Sequence, residues 1–171
     1  MMLIYFSQKF KKNLSFSFKI CYNLSVERGK KMAYEFKKVS AVCVIENEGK
    51  YLFVKRAHTG MADGFYMLPG GHVDEGESVL HATTRELKEE LGIDVKEEDL
   101  EFQLVESIKT HITFFFRVKK YEGIPQNMEP EKHDEVVFLS PDHPQIHPFS
   151  KKELGLMKKG IHFFPNDDFK L

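Results

Sequence analysis

A chain of 171 residues, 42% hydrophobic and 30% charged, is long enough for one compact domain with its own core. Its formal net charge of −1 hides an asymmetry: residues 1 to 31 carry seven Lys/Arg against Glu27 alone, a balance of +6, which leaves −7 for residues 32 to 171. An acidic body argues against general binding of nucleic-acid polymers, which needs a basic surface, and no uninterrupted apolar run of about 18 residues marks a membrane span.

Residues 1 to 31 are the least domain-like part, basic and rich in Ser, Asn, Lys and Phe. They lack the apolar core of a secretory signal, and their cations are mostly Lys where a mitochondrial presequence favours Arg. They are expected to form an extension to a domain spanning 32–171. Met32 follows Glu27-Arg28-Gly29-Lys30-Lys31, whose purine-rich codons resemble a bacterial ribosome-binding site, so translation is expected to begin at Met32. Cys21 and Cys43 belong to no CxxC pair or zinc spacing; Cys43 sits in an apolar strand pattern as a core thiol, in keeping with a reducing cytoplasm.

From Phe36 the elements follow with short connections. Val39 to Ile45 and Tyr51 to Lys55 read as strands of a hairpin around Glu46-Asn47-Glu48-Gly49. A loop from His58 to Tyr66, a short Met67-Leu68 segment and a glycine loop at Pro69-Gly70-Gly71 come next. A helix is expected after Ser78 as N-cap, with Val79, Ala82, Leu87 and Leu91 as its apolar positions and Gly92 as its close. Leu100 to Ile108, Ile112 to Val118 and Val136 to Leu139 read as further strands, and Phe114-Phe115-Phe116 as sheet core. Ser150-Lys151-Lys152-Glu153 has capping-box spacing and predicts a last helix to about Lys159, ended by Gly160. Strands interleaved with two helices imply an α/β sandwich with a mixed sheet.

The densest chemistry lies from Gly71 to Ile93. Gly71 is followed after five residues by Glu77, and after seven more by Arg85-Glu86-Leu87-x-Glu89-Glu90-x-Gly92-Ile93. On a helix, Glu86, Glu89 and Glu90 stand at i, i+3 and i+4 and project from one face. Three like charges there repel, and hard carboxylate oxygens suit a cation such as Mg²⁺. The octapeptide RELKEELG alone also fits a solvated helix in which Arg85 pairs with Glu89. Gly71 and Glu77 in register upstream favour the site, since a chance match to the whole pattern has a probability on the order of 10⁻⁷.

The pattern resembles the Nudix box of the Nudix hydrolases at every defining position. Similarity extends over residues 36 to 145, through VKRAHTGMADGFYMLPGG before the box and PQNMEPEKHDEVVFLSPD after it, the latter like the EPEK segment of the small nucleoside triphosphate hydrolases. The resemblance implies a Nudix-type α/β/α sandwich. It also implies an enzyme that directs water at a phosphorus of a nucleoside diphosphate linked to another group, releasing nucleoside monophosphate and pyrophosphate from a triphosphate. The implied metal is Mg²⁺, with Mn²⁺ as a substitute. Its implied ligands are Glu86, Glu90, Glu89 and the carbonyl of Gly71, with Glu89 alternatively the group that accepts the water's proton. Arg85 and Glu77 resemble the pair that orients the cluster. Arg56, after a strand, and His72, after Gly71, are candidates for holding phosphate, while Glu131 is a candidate to complete the metal site among its acidic neighbours Glu129, Asp134 and Glu135. The other histidines, His133 among them, read as surface or loop residues.

Two other readings compete. A nucleoside diphosphate sugar or ADP-ribose pyrophosphatase often carries a proline about sixteen residues beyond the box, where this chain has Ile108-Lys109-Thr110-His111. A non-catalytic nucleotide-sensing Nudix domain typically loses box carboxylates, and none is lost here. The expected partner is a small nucleotide, without a membrane or nucleic-acid polymer, and edge strands permit a homodimer. No motif residue lies in 1 to 31, so a protein that begins at Met32 should unfold cooperatively and keep its activity. Loss of the cooperative transition on thermal denaturation would place the segment inside the domain.

Overall fold

The computed structural model describes residues 37–166; the expectations for residues 1 to 31, Met32 and Cys21 lie outside the described residues. Its strands are β1 (Lys38–Val44), β2 (Glu46–Asn47), β3 (Lys50–Arg56), β4 (Tyr66–Met67), β5 (Gly70–His72), β6 (Leu100–Ile108), β7 (His111–Val118), β8 (His133–Leu139) and β9 (Phe163–Asn166). The helices are α1 (Val79–Leu91) and α2 (Pro148–Lys158), with a 3-10 turn at Glu97–Asp99.

The strands form two sheets. One runs β5-β1-β7-β6-β9 and is mixed, with β1 parallel to β7, β6 parallel to β9, and the other pairs antiparallel. In the other, β3 pairs antiparallel with β8 along one edge and with β2 and β4 at its two ends. The expected hairpin is thus shorter than its sequence pattern. Glu46 pairs with Tyr51 and Asn47 with Lys50 around Glu48-Gly49, both at positive φ as a two-residue turn matched to strand twist demands. The apolar stretch before it, β1, belongs to the other sheet, where both of its edges are paired.

Alternation along the strands divides the core in two. Cys43, Ile45, Leu52 and Val54 pack with Leu87 and Leu91 of α1, while Val44, Phe53, Leu104 and Phe115 pack with Leu154 of α2. The helices therefore cover opposite faces of the β layers, an α/β/α sandwich. Leu87 and Leu91 are fully buried, each contributing about 1.5–3 kcal/mol by removal from water. Phe115 is core as expected, and Cys43 is a buried free thiol.

Two helix boundaries test the capping signals. The Ser78 side chain accepts from the His81 N–H at 3.0 Å, and Gly92 closes α1 in the left-handed region at φ 71°, both as expected. In α2 the expected start is corrected: the cap is His147, whose Nδ1 accepts from Phe149 N–H, and Pro148 opens the helix. Ser150 lies inside α2 and is buried, receiving a long 3.4 Å bond from Leu68 N–H. A proline preset for the first turn displaced the capping-box register. The segment after Ile161, undecided from sequence, adds β9 to the edge of β6.

On α2, Glu153 hydrogen-bonds the Glu106 carboxyl of β6, and Lys152 Nζ reaches Glu106 Oε1 at 2.6 Å. Burial first, and then the charge of Glu106, push the Glu153 carboxyl up to about 8, with Lys152 opposing. A carboxyl raised on folding stabilises fully below its unfolded value of about 4.3 and loses that contribution as pH rises through its folded value. The wild-type melting temperature should therefore fall more between pH 6 and 9 than that of Glu153→Gln, which keeps a donor for Glu106 without a charge to bury. Parallel melting curves across that range would refute the shared-proton pair.

Candidate active site

The strand β5 brings the glycines to α1. Expected as a loop, Gly70–His72 instead pairs with β1, with Val42 opposite Gly70 and Ala41 opposite Gly71. Gly70 has φ 142°, and a Cβ there would collide with the Ala41 and Val42 backbone, so only glycine permits this close approach. A Cβ on Gly71 would fall on the Glu86 carboxylate. Removing both side chains leaves the strand's backbone directly against the acidic face of α1.

The three box carboxylates share that face but not its environment. Glu90 is 4% exposed, and its Oε2 accepts from Gly70 N–H at 2.8 Å. Burial chiefly pushes its carboxyl up to about 8, with the Gly70 hydrogen bond opposing and Glu86 and Glu129 adding to the rise. Glu86 is half-buried; burial raises its carboxyl and the Arg85 hydrogen bond opposes. Glu89 is exposed.

Arg85 ties this face together. Its Nε and one terminal nitrogen hold both oxygens of Glu77 at 3.0 and 3.1 Å, while the other terminal nitrogen reaches Glu86 and Glu89, each at 2.9 Å. It also donates to the His72 carbonyl at 3.0 Å. The simple helix-face pair Arg85–Glu89 and the orienting pair Arg85–Glu77 therefore coexist in one guanidinium. Such a planar fork neutralises Glu86 and Glu89 from one side and leaves Glu90 to other partners.

Those partners come from a segment that sequence reasoning placed only in part. Gln126 N–H donates to Leu91 O and Met128 N–H to Glu90 O, so the unsatisfied carbonyls at the end of α1 recruit the chain before β8. Asn127 fastens the turn by donating to the His133 carbonyl at 2.6 Å and accepting from Glu129 N–H. Glu90, Glu129 and His133 then each present one ligand atom, all within 4.8 Å of one another. Glu131, a candidate to complete the metal site, is exposed and lies outside this group, which includes its neighbour Glu129.

His133 corrects the expectation of a surface histidine: it is 1% exposed, and its Nε2 lies 3.7 Å from Glu90 Oε1. The cause is a β-bulge. Lys55 pairs with Glu135 but Arg56 with His133, so one residue of β8 is skipped. The skip turns His133 to the side of Leu52, Val54 and Arg56, toward α1. The available sequence signal was the four-residue spacing of Glu129 and His133, which one helical turn closes with His133 N–H on Glu129 O.

The two candidate phosphate contacts separate. Arg56 sits at the bulge with its Nε buried and without a hydrogen-bond partner among the described residues, close enough for its charge to act on Glu90 and His133. His72 is exposed, its ring 6.1 Å from that of His111.

Arg85→Ala strips Glu77, whose side chain is 9% exposed, of its bidentate partner and should cost about 2 kcal/mol of stability. Arg85→Lys, with the charge but not the fork, should fall between. Chemical denaturation of the three proteins checks this, and equal stability of alanine variant and wild type would remove Arg85 as the organiser of the face.

Among known proteins, the chain is 36% identical over 96 residues to the 8-oxo-dGTP diphosphatase of Escherichia coli K12, covering 52% of this chain and 71% of that protein. It is 26% identical over 117 residues to the CTP pyrophosphohydrolase of the same strain, covering 67% and 84% respectively. A MutT NUDIX hydrolase from Burkholderia pseudomallei superposes with a TM-score of 0.64 at 27% identity, over 71% of this chain and 98% of that one. The NUDIX domain profile matches residues 36–159, which contain both helices and the whole acidic face, and the chain accordingly belongs to the NUDIX domain family.

Proposed function

We propose that this Nudix pyrophosphohydrolase cleaves a nucleoside triphosphate to nucleoside monophosphate and pyrophosphate with Mg²⁺. The observation that carries the reading is the buried carboxylate of Glu90 beside Glu86 and the side-chain-free backbone of Gly70 and Gly71. The residues fit a cation on their own chemistry. Arg85 already pairs with Glu86 and Lys132 with Glu129. Among the described residues, however, the 4% exposed Glu90 carboxylate has no such partner within hydrogen-bond distance and the His133 ring has no hydrogen bond, so their burial together costs free energy that a cation between them would offset. Two relatives, named for 8-oxo-dGTP and CTP, support a nucleoside triphosphate as substrate.

In this reading Glu86, Glu90 and the Gly71 carbonyl would hold the metal, with the exposed Glu89 on the same helix face. When bound there, the ion would supply neutralising charge to the phosphate oxygens and a lowered pKa to a neighbouring water. Glu89, solvent-facing, takes the proton as the water oxygen attacks phosphorus and the P–O bond to the leaving group breaks. Arg85, clamped by Glu77, keeps Glu86 and Glu89 in position. Arg56, with an unpaired donor, binds phosphate at one edge of the site and His72 at another. The net charge of −7 on residues 32 to 171 favours a small nucleotide over a nucleic-acid polymer, and the buried free thiol Cys43 suits a cytoplasmic setting. No helix among the described residues is long and apolar enough to cross a membrane.

Pyrophosphate release from a panel of nucleoside triphosphates, ADP-ribose and nucleotide sugars tests the reading. Triphosphates should give the highest kcat/KM, and excess chelator should abolish turnover; preference for ADP-ribose or chelator-resistant turnover would overturn it. Glu90→Gln keeps the acceptor for Gly70 N–H but removes the charge, so kcat should fall by roughly 10² to 10⁴. Without metal the variant should melt at the same or a higher temperature. Near-normal turnover with reduced stability would make Glu90 a structural carboxylate.

A further inference from the structure

The ring of His133 is a buried polar group beside the acidic face. Its side chain is fully buried, and neither ring nitrogen has a hydrogen-bond partner among the described residues. Leaving a buried polar group unpaired costs about 1–3 kcal/mol, so a histidine kept here purely for packing would be a poor choice beside Leu, Val or Phe. The position is also held with care: the bulge at Lys55/Arg56 turns the side chain inward, and Asn127 bonds the His133 carbonyl at 2.6 Å. The ring Nε2 lies 3.7 Å from Glu90 Oε1, too long for a hydrogen bond, and Glu129 offers a third atom in the same group. Glu129 is also paired with Lys132 Nζ at 2.6 Å and Glu90 with Gly70 N–H, so of the three converging side chains the imidazole is the one without a hydrogen bond among the described residues.

We propose that His133 is a nitrogen ligand to a divalent ion shared with Glu90 and Glu129, and that this lets Mn²⁺ or a similar transition metal take the place of the Mg²⁺ of the proposed reaction and bind there more tightly. The proposal rests on reading the acidic face as a metal site. Mg²⁺ takes oxygen ligands almost exclusively, whereas imidazole nitrogen binds borderline first-row ions well, so one nitrogen in an otherwise carboxylate shell shifts selectivity. The metal preference would then be set by the bulge, outside the glutamates of the box.

The test uses the full chain loaded with Mn²⁺ and no substrate. Pulsed electron paramagnetic resonance should show the nitrogen coupling of a directly bound imidazole in the wild type and in His72→Gln, and should lose it in His133→Gln. Calorimetry should show Mn²⁺ affinity falling about 10-fold or more in His133→Gln with Mg²⁺ affinity little changed. The wild-type spectrum is decisive even if the variant folds poorly. Bound Mn²⁺ with no nitrogen coupling overturns the assignment while leaving the metal site standing, as does a coupling that persists in His133→Gln or disappears in His72→Gln. Equal loss of both ions overturns the selectivity. Absence of any metal binding to the wild type overturns the metal site itself.

Discussion

A carboxylate buried inside the protein organises the working face. Glu90 is all but removed from water, and the described chain gives it one short hydrogen bond, from a backbone N–H. Ionised carboxylates are costly in such surroundings, and burial accordingly pushes this one up to about 8. The architecture around it supplies what the group needs from three directions. The side-chain-free strand β5 presses an amide against it, α1 fixes its position between Leu87 and Leu91, and the segment ahead of β8 brings Glu129 and His133 beside it.

The acidic face of α1 thus contains two kinds of carboxylate. Glu86 and Glu89 are bridged by Arg85, whose own orientation is set by Glu77, and this part resembles an ordinary charge network on a helix. Glu90, only one residue from Glu89, points past the network into the body of the domain. Electrostatic neutralisation by one guanidinium therefore stops halfway across the face. The Glu90 carboxylate, beyond the reach of Arg85 but within range of the Arg56 charge, lies next to the side-chain-free glycine backbone.

Hydrogen bonds at the end of α1 join this face to the rest of the fold. The carbonyls of Glu90 and Leu91 cannot find partners within the helix, and the N–H groups of Met128 and Gln126 take them. The same residue therefore supplies a carboxylate to the site and a carbonyl that docks the segment carrying Glu129. Position of the helix end and position of Glu129 and His133 are coupled, which makes the candidate site a property of the α1–β8 junction as much as of the helix.

Much of this was legible in the sequence because it is local. Helical periodicity placed Glu86, Glu89 and Glu90 together, Ser78 and Gly92 marked the ends of α1, and paired glycines marked a close approach of backbone. The spacing of the box added the likeness to one family before any contact was known. Tertiary structure decided the rest. The division of β1 and β3 between two sheets depends on pairing partners far away in the chain, and the α2 start depends on a proline outweighing a capping box. Burial separated Glu90 from Glu89, although the two share a residue type and a helix face. The inward turn of His133 depends on one skipped residue where β8 meets β3, and a one-residue change of register moves a side chain to the opposite face. Local spacing specifies which residues share a helix turn; only the packing of distant strands specifies which of them lose water and meet.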